Sequence, residues 1–314
     1  MRKALPLLVL FHGLIGSASG QQLTQYSQYV FNHFSVNPAV AGSKDCLDMR
    51  LGVRKQWLGF DGAPTTGWFS LHGTLRAKGK PFQPNKHGIG VFMEADEAGN
   101  WGYSRLLLAY AYHLQMAKEF YLAFGVFAGL QQEKFDFGNA TVLNYDDPAL
   151  TGRSSVLVYP DVTPGIWFYN KSTWGGVSLH NVVGNRIDGI GTEARLSRHL
   201  MLSAGHRFRM GRKMALVPST LIKRSPGAPV AFDLNAMAEW GRVFGLGVGY
   251  RSGDAVVAMM KVGFLKYFQL GYSYDMTTSR LRLGSSNTHE VILAITPCDK
   301  GNAGKRMISC PAFE

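Results

Sequence analysis

Segments of about ten residues in which apolar side chains alternate with small or polar ones recur along this chain, and that length and period confine the folds open to it. From Tyr267 to Met276 the even positions are Phe268, Leu270, Tyr272, Tyr274 and Met276, and the odd positions are Tyr267, Gln269, Gly271, Ser273 and Asp275. Successive side chains of a strand point to opposite faces, so one face of this segment is apolar and aromatic and the other small or polar. Upstream, Val256, Ala258, Met260, Val262 and Phe264 oppose a set that includes Lys261 and Gly263, and Phe244, Leu246, Val248 and Tyr250 oppose Gly245, Gly247, Gly249 and Arg251. Nearer the start, Leu106, Leu108, Tyr110, Tyr112 and Leu114 oppose Arg105, His113 and Gln115, and Phe120, Leu122, Phe124, Val126 and Ala128 oppose Tyr121, Gly125, Gly129 and Gln131. A tilted strand needs about 9–11 residues to cross the hydrocarbon layer, whereas strands of soluble sandwiches run to about five or six.

Carried along the whole chain, the pattern predicts an all-β fold, a transmembrane outer-membrane β-barrel of about 14 antiparallel strands. The strands are expected at 47–59, 65–76, 88–97, 102–116, 119–132, 162–170, 173–182, 198–210, 213–223, 229–239, 241–251, 255–265, 267–276 and 288–296. An even number closes a barrel with both strand ends on one side. Tight turns at Ala117-Lys118, Lys171-Ser172, Gly211-Arg212, Trp240-Gly241 and Lys266 then share that side, and the longer links 133–161, 183–197 and 277–287 share the other. Outer-membrane barrels pair short periplasmic turns with longer extracellular loops, so the alternation checks the count independently. The 77–87 link breaks it, being long yet on the short-turn side. Closure is a physical requirement, because in lipid every backbone polar group must be paired within the protein.

The termini divide the chain further. Residues 1–20 combine Arg2 and Lys3, an apolar stretch from Ala4 to Ile15 and the small residues Ser17, Ala18, Ser19 and Gly20, the layout of a secretory signal peptide with a mature start near Gln21. That stretch is too short to span a bilayer as a helix, and no apolar run of about 18 residues follows it. Residues 21–46 are expected in the lumen or at the periplasmic mouth, 47–296 as the barrel, and 297–314 as a periplasmic tail. Charged residues make up 17% of the chain, against roughly 25% in soluble domains, a deficit that suits an outer surface facing lipid. The formal charge of +12 favours outer-membrane lipid and lipopolysaccharide or an acidic partner over nucleic acid, with scattered solubilising charge as the plainer reading. Of the three cysteines, a bridge between Cys298 and Cys310 closes a short loop in the tail and leaves Cys46 unpaired or paired elsewhere; no spacing matches a zinc site.

Candidate chemistry is sparse, and no catalytic, cofactor or metal residue is assigned. His289-Glu290 opens like a zinc-protease motif but lacks the second histidine and sits in a strand. Its plainer reading is a lumenal Glu290 held by a basic neighbour such as Arg251 or Lys261. Gly245, Gly247 and Gly249 alternate within a strand with no helix after them, which makes them small lumenal positions and not a nucleotide loop. A Ser-His-acid hydrolase is the enzymatic rival. Asn37-Pro38-Ala39 with Ala41-Gly42 reads as a rigid turn into the first strand, with a plug or docking surface as the alternative. Asp146 and Asp147 in the longest loop, and Lys300, Lys305, Arg306 and Phe313 in the tail, are the candidate partner-binding residues; calcium at the two aspartates is the rival reading there.

Several segments, in order, resemble one family. Gln25–Asn32 (QYSQYVFN), Asn37–Gly42 (NPAVAG), Arg54–Trp57 (RKQW) with Phe60–Pro64 (FDGAP), Gly249–Asp254 (GYRSGD), Gly271–Asp275 (GYSYD) with His289-Glu290, and the ending Cys310–Phe313 (CPAF) are similar to stretches of the PorP/SprF outer-membrane proteins of the type IX secretion and gliding system of Bacteroidetes. The resemblance implies a non-enzymatic barrel, without a cofactor, that works with periplasmic ring and motor proteins and delivers or holds secreted cargo or a surface adhesin. A porin or small-molecule transporter is the alternative function, separable by whether the lumen is open.

Overall fold

The computed structural model describes residues 23–44, 46–75, 85–136, 155–187, 195–241, 243–265, 267–279 and 287–297. Its strands are β1 (Asp48–Lys55), β2 (Thr65–Leu75), β3 (Lys86–Ala98), β4 (Trp101–Ala117), β5 (Phe120–Phe135), β6 (Ser155–Tyr169), β7 (Thr173–His180), β8 (His199–His206), β9 (Phe208–Arg209), β10 (Met214–Arg224), β11 (Ala231–Trp240), β12 (Phe244–Arg251), β13 (Ala255–Phe264), β14 (Phe268–Thr277) and β15 (Thr288–Ile295). Each pairs antiparallel with its sequence neighbours, β8 and β9 excepted, and β1 pairs with β15, so the sheet closes on itself. The two-residue β9 continues β8 past a break at Arg207 and joins the same partner, β10, which makes the closed wall one of 14 strands. No described helix is long and apolar enough to cross a membrane; the crossing is by strands.

The alternation read from the sequence sorts the two faces as expected. Leu51, Val53, Leu106, Leu108, Tyr110, Leu246, Val248 and Tyr250 point outward and are exposed, while Arg54, Arg105, His113, Arg251, Lys261 and Glu290 point inward and are buried. A one-residue slip of any strand would exchange these sets, so the lipid-facing pattern pins the register. Leu108, near the middle of β4, is 64% exposed, a level that marks a lipid-facing side chain in a wall of this kind.

Both ends of the wall, before Asp48 and after Ile295, lie on the side of the short turns at 118–119, 170–172, 241–243 and 265–267. Short turns mark the periplasmic rim. The link between Leu75 and Lys86 remains the long exception on that side. Most strand bounds fall within a few residues of expectation, but β6 begins at Ser155 and not at 162, and β5 runs on to Phe135 to meet it. Proline withholds a ladder donor, yet Pro160 and Pro164 do not interrupt β6. In the structure both lie within the strand, opposite Leu130 and Val126.

Candidate functional site

The lumen gathers the buried polar and charged side chains of the wall, and residues 23–44 occupy it. Starting near the extracellular end, the segment descends through three short 3-10 turns, Tyr29–Phe31, His33–Ser35 and Pro38–Val40, and leaves at the periplasmic rim to start β1. Every residue from Ser35 to Lys44 is buried. Irregular backbone so enclosed needs partners for its N–H and C=O groups, and the wall supplies them. Ser178 Oγ donates to the Val36 carbonyl at 2.7 Å, the His113 ring nitrogen Nε2 lies 2.7 Å from the Ala41 carbonyl, and Lys86 Nζ donates to the Ser43 carbonyl at 2.7 Å. Asn37 ties the segment in both directions: its Oδ1 accepts from Ala39 N at 3.0 Å, and its Nδ2 donates to the carbonyls of Ile166 at 3.0 Å and Val177 at 3.1 Å. Asn37-Pro38-Ala39 is therefore part of a plug wedged against β6 and β7, and more than a turn into β1.

The wall makes room with glycine. A Cβ on Gly125 would stand 2.4 Å from Ala39 N, and one on Gly88 would stand 1.8 Å from the Ala41 carbonyl oxygen. Only a residue without a side chain permits backbone to approach this closely.

Three layers hold the plug. At mid-height the contact is apolar: Phe34 packs on Phe127 at 5.0 Å between ring centroids and on His72 at 4.6 Å, and His33 lies 5.5 Å from Trp167 and 5.8 Å from Trp174. The inner face was expected to be small or polar, but Phe92, Leu107, Phe127, Trp167, Trp174 and Ile292 are inward and buried, because they pack on the plug instead of facing water.

The extracellular layer is ionic. Arg54 meets Asp275 at 3.1 Å and Glu290 at 3.2 Å, and also donates to Ser27 Oγ. Ser27 N donates to Glu290 at 2.8 Å, Ser27 Oγ to Asp275 at 2.5 Å, and Gln28 Nε2 to the Glu290 carbonyl at 2.9 Å. Arg251 reaches Asp254 at 3.1 Å, Asp275 at 3.2 Å and Asp233 at 3.4 Å. Alongside, Tyr26 donates to Glu94, whose other oxygen meets Arg105 at 2.6 Å. The periplasmic layer pairs Asp48 with Lys44 and, at 2.7 Å, with Arg50, and Glu239 with Arg207 and, at 2.5 Å, with Lys261.

The partner of Glu290 is thus Arg54, and neither Arg251 nor Lys261, which serve Asp233, Asp275 and Glu239. The reason is closure: β1 and β15 are neighbours, and Arg54 stands directly opposite Glu290 in their register. His289 and Glu290 point to opposite faces, and the His289 ring lies 2.7 Å from the Tyr272 hydroxyl, so the two do not converge on a metal. Among the described residues no group of three or more His, Cys, Asp or Glu side chains converges on a metal position. Two internal voids border the plug, each of about 20 Å³, one beside Tyr29 and Met201 and one beside Phe31 and Met259. Each has room for about one water.

Asp146, Asp147, Lys300, Lys305, Arg306, Phe313, Cys298 and Cys310 lie outside the described residues, as does the segment 1–20 expected to be a signal peptide. Cys46, at the periplasmic rim just before β1, is disulfide-bonded. The ionic collar around Ser27 was not singled out from the sequence, although Arg54, Arg251, Asp275 and Glu290 all sit in segments that carried the family resemblance.

A family described as type IX secretion system membrane protein PorP/SprF matches residues 18–295. No curated protein matches the chain. Among solved structures, the toluene transporter TbuX of Ralstonia pickettii is similar at 11% identity and a TM-score of 0.51, over 84% of this chain and 92% of that one. A Pseudomonas aeruginosa FadL homologue is similar at 11% identity and a TM-score of 0.47, over 83% and 91%. At such identities the likeness is one of fold, a barrel of the outer-membrane type.

Proposed function

The chain belongs to the PorP/SprF family of type IX secretion system membrane proteins, and from that premise we propose that it acts as a non-enzymatic docking component of the outer membrane. In this reading the extracellular loops hold secreted cargo or a surface adhesin, and the periplasmic face engages ring and motor proteins of the secretion machinery. The observation that carries it is the filled lumen. Hydrogen bonds, ion pairs and an aromatic layer hold residues 23–44 across the barrel, and the two voids described beside them have room for about one water each. Such a lumen supports a role for the surfaces at the two ends over one for a conduit.

The plug also limits what the N-terminal segment does. Residues from Tyr26 to Lys44 are largely buried against the wall, so periplasmic contact falls to the rim and the tail. The test is a mild-detergent pull-down of the tagged mature protein from outer membranes, together with conductance in planar bilayers. Co-purification of a large surface protein or of periplasmic ring components, with a closed barrel, is the expected result. A protein recovered alone that opens steady channels overturns the reading in favour of a porin.

A further inference from the structure

The two rims differ sharply in charge. Described links at the extracellular rim balance Asp61, Asp136 and Asp254 against Arg186, Arg195 and Arg198. The described links at the periplasmic rim carry Lys118, Lys171, Arg207, Arg209, Arg212 and Lys213 against the single acid Glu119. Lys171 is committed to Glu119, and Arg207 to Glu239 of the wall. Lys118, Arg209, Arg212 and Lys213 are exposed and meet no carboxylate among the described residues. Solubility alone does not call for charge of one sign at one end of a barrel whose other end is balanced.

These residues also share a shape. The β4–β5, β6–β7 and β8–β10 turns are consecutive around the rim, and between them lies a recess of about 710 Å³ whose lining sets Lys118, Lys171, Arg207 and Arg209 against Glu119, with Phe120 and Phe208 beside them. Phe208 is 51% exposed. Guanidinium forks suit carboxylates, and an exposed aromatic among cations adds an apolar anchor, the combination expected of an interface core.

We propose that this basic recess at the periplasmic rim is the docking surface for an acidic segment of a periplasmic protein partner. The inference rests on the docking function proposed above and assigns its periplasmic half to particular turns. A protein segment is favoured over a lipid headgroup because the recess is large enough for several side chains and holds an aromatic wall beside the cations. Association through such a surface is fast and salt-sensitive, since exposed charges are screened beyond about 8–10 Å at physiological ionic strength.

The test uses the full mature chain in nanodiscs of phosphatidylcholine, with a fluorescent twelve-residue polyglutamate peptide as probe. Wild type is expected to bind it with an affinity that falls roughly tenfold between 50 and 200 mM salt, and the variant Lys118→Gln/Arg209→Gln/Arg212→Gln/Lys213→Gln to lose binding by roughly tenfold or more at low salt. Heat-modifiable gel mobility checks that the variant barrel is folded, and the single variant Arg209→Gln, expected to lose about threefold, serves if the quadruple one does not assemble. Equal binding by folded variant and wild type overturns the proposal, as does displacement of the peptide by phosphatidylglycerol in the nanodisc at equimolar charge, which assigns the recess to lipid. In pull-downs from outer membranes, the folded variant is expected to lose periplasmic proteins and keep surface cargo. Retention of both sets refutes the rim while leaving the docking function standing, whereas a wild type that captures neither refutes the function itself.

Discussion

Replacing Arg54 by leucine removes the cation that joins β1, β14, β15 and the plug. The guanidinium is almost fully buried and touches two carboxylates, Asp275 at 3.1 Å and Glu290 at 3.2 Å, besides the Ser27 hydroxyl. Asp275 keeps Arg251 at 3.2 Å. Glu290 keeps only neutral donors, Ser27 N at 2.8 Å, Gln28 N at 3.3 Å and their surroundings. Removing one partner of a buried pair strands the other charge, at a cost of about 3–5 kcal/mol. At about 1.4 kcal/mol per factor of ten, plug release should become roughly 10² to 10⁴ times more favourable. The assay is thiol labelling at a reporter, Val40→Cys, in the middle of the buried plug, with peptides resolved by mass so that native cysteines do not interfere. The labelling rate at position 40 should rise by that factor in Arg54→Leu and fall most of the way back in Arg54→Leu/Glu290→Gln, where no stranded charge remains. An unchanged rate in the single variant, or no recovery in the double one, would show that the ionic collar does not hold the plug.

Other outcomes follow from the packing. Gly125→Leu drives a side chain into Ala39, whose nitrogen would already be 2.4 Å from a Cβ, and should cost about 1–3 kcal/mol or prevent assembly. Gly67→Ala, with nothing within 4 Å of its Cβ position, should change stability by less than about 0.5 kcal/mol, and denaturant titration in detergent compares the two. Leu108→Arg places a charge on the lipid face near the middle of β4 and should destabilise the barrel by about 2–4 kcal/mol when refolded into vesicles, with folding into detergent much less affected. Non-reducing peptide mapping of the mature protein should recover Cys46 linked to a tail cysteine; a free Cys46 thiol would contradict the bond at the rim.

Arg54 and Glu290 illustrate what local sequence conceals. Glu290 was legible as a lumenal charge needing a partner, whereas Arg54 stood out only within a segment that carries the family resemblance. Which cation it meets depends on the first strand lying beside the last, a contact between residues 236 positions apart. Parity likewise identified Phe127 and Trp167 only weakly, because aromatic residues on an inward face look like errors in the pattern until a plug is present to pack on them. Of the glycines that admit the plug, Gly125 was visible as a small position, but its purpose lies in the backbone it faces. The early start of β6 at Ser155 was not legible either, and the strand accommodates Pro160 because a ladder tolerates proline wherever it has no need of the donor.

The period of two, the ten-residue segment length and the alternation of short and long links determined the barrel, its strand count and the lipid-facing set, because these depend on the distance across a membrane and on side chains that alternate between two faces. The tertiary structure decided that residues 23–44 fill the lumen and not the periplasmic mouth, that the collar closes on Ser27, and that scattered lysines and arginines converge on one rim. Those depend on which distant segments closure brings within a few ångströms, and hydrophobic periodicity carries no record of such neighbours.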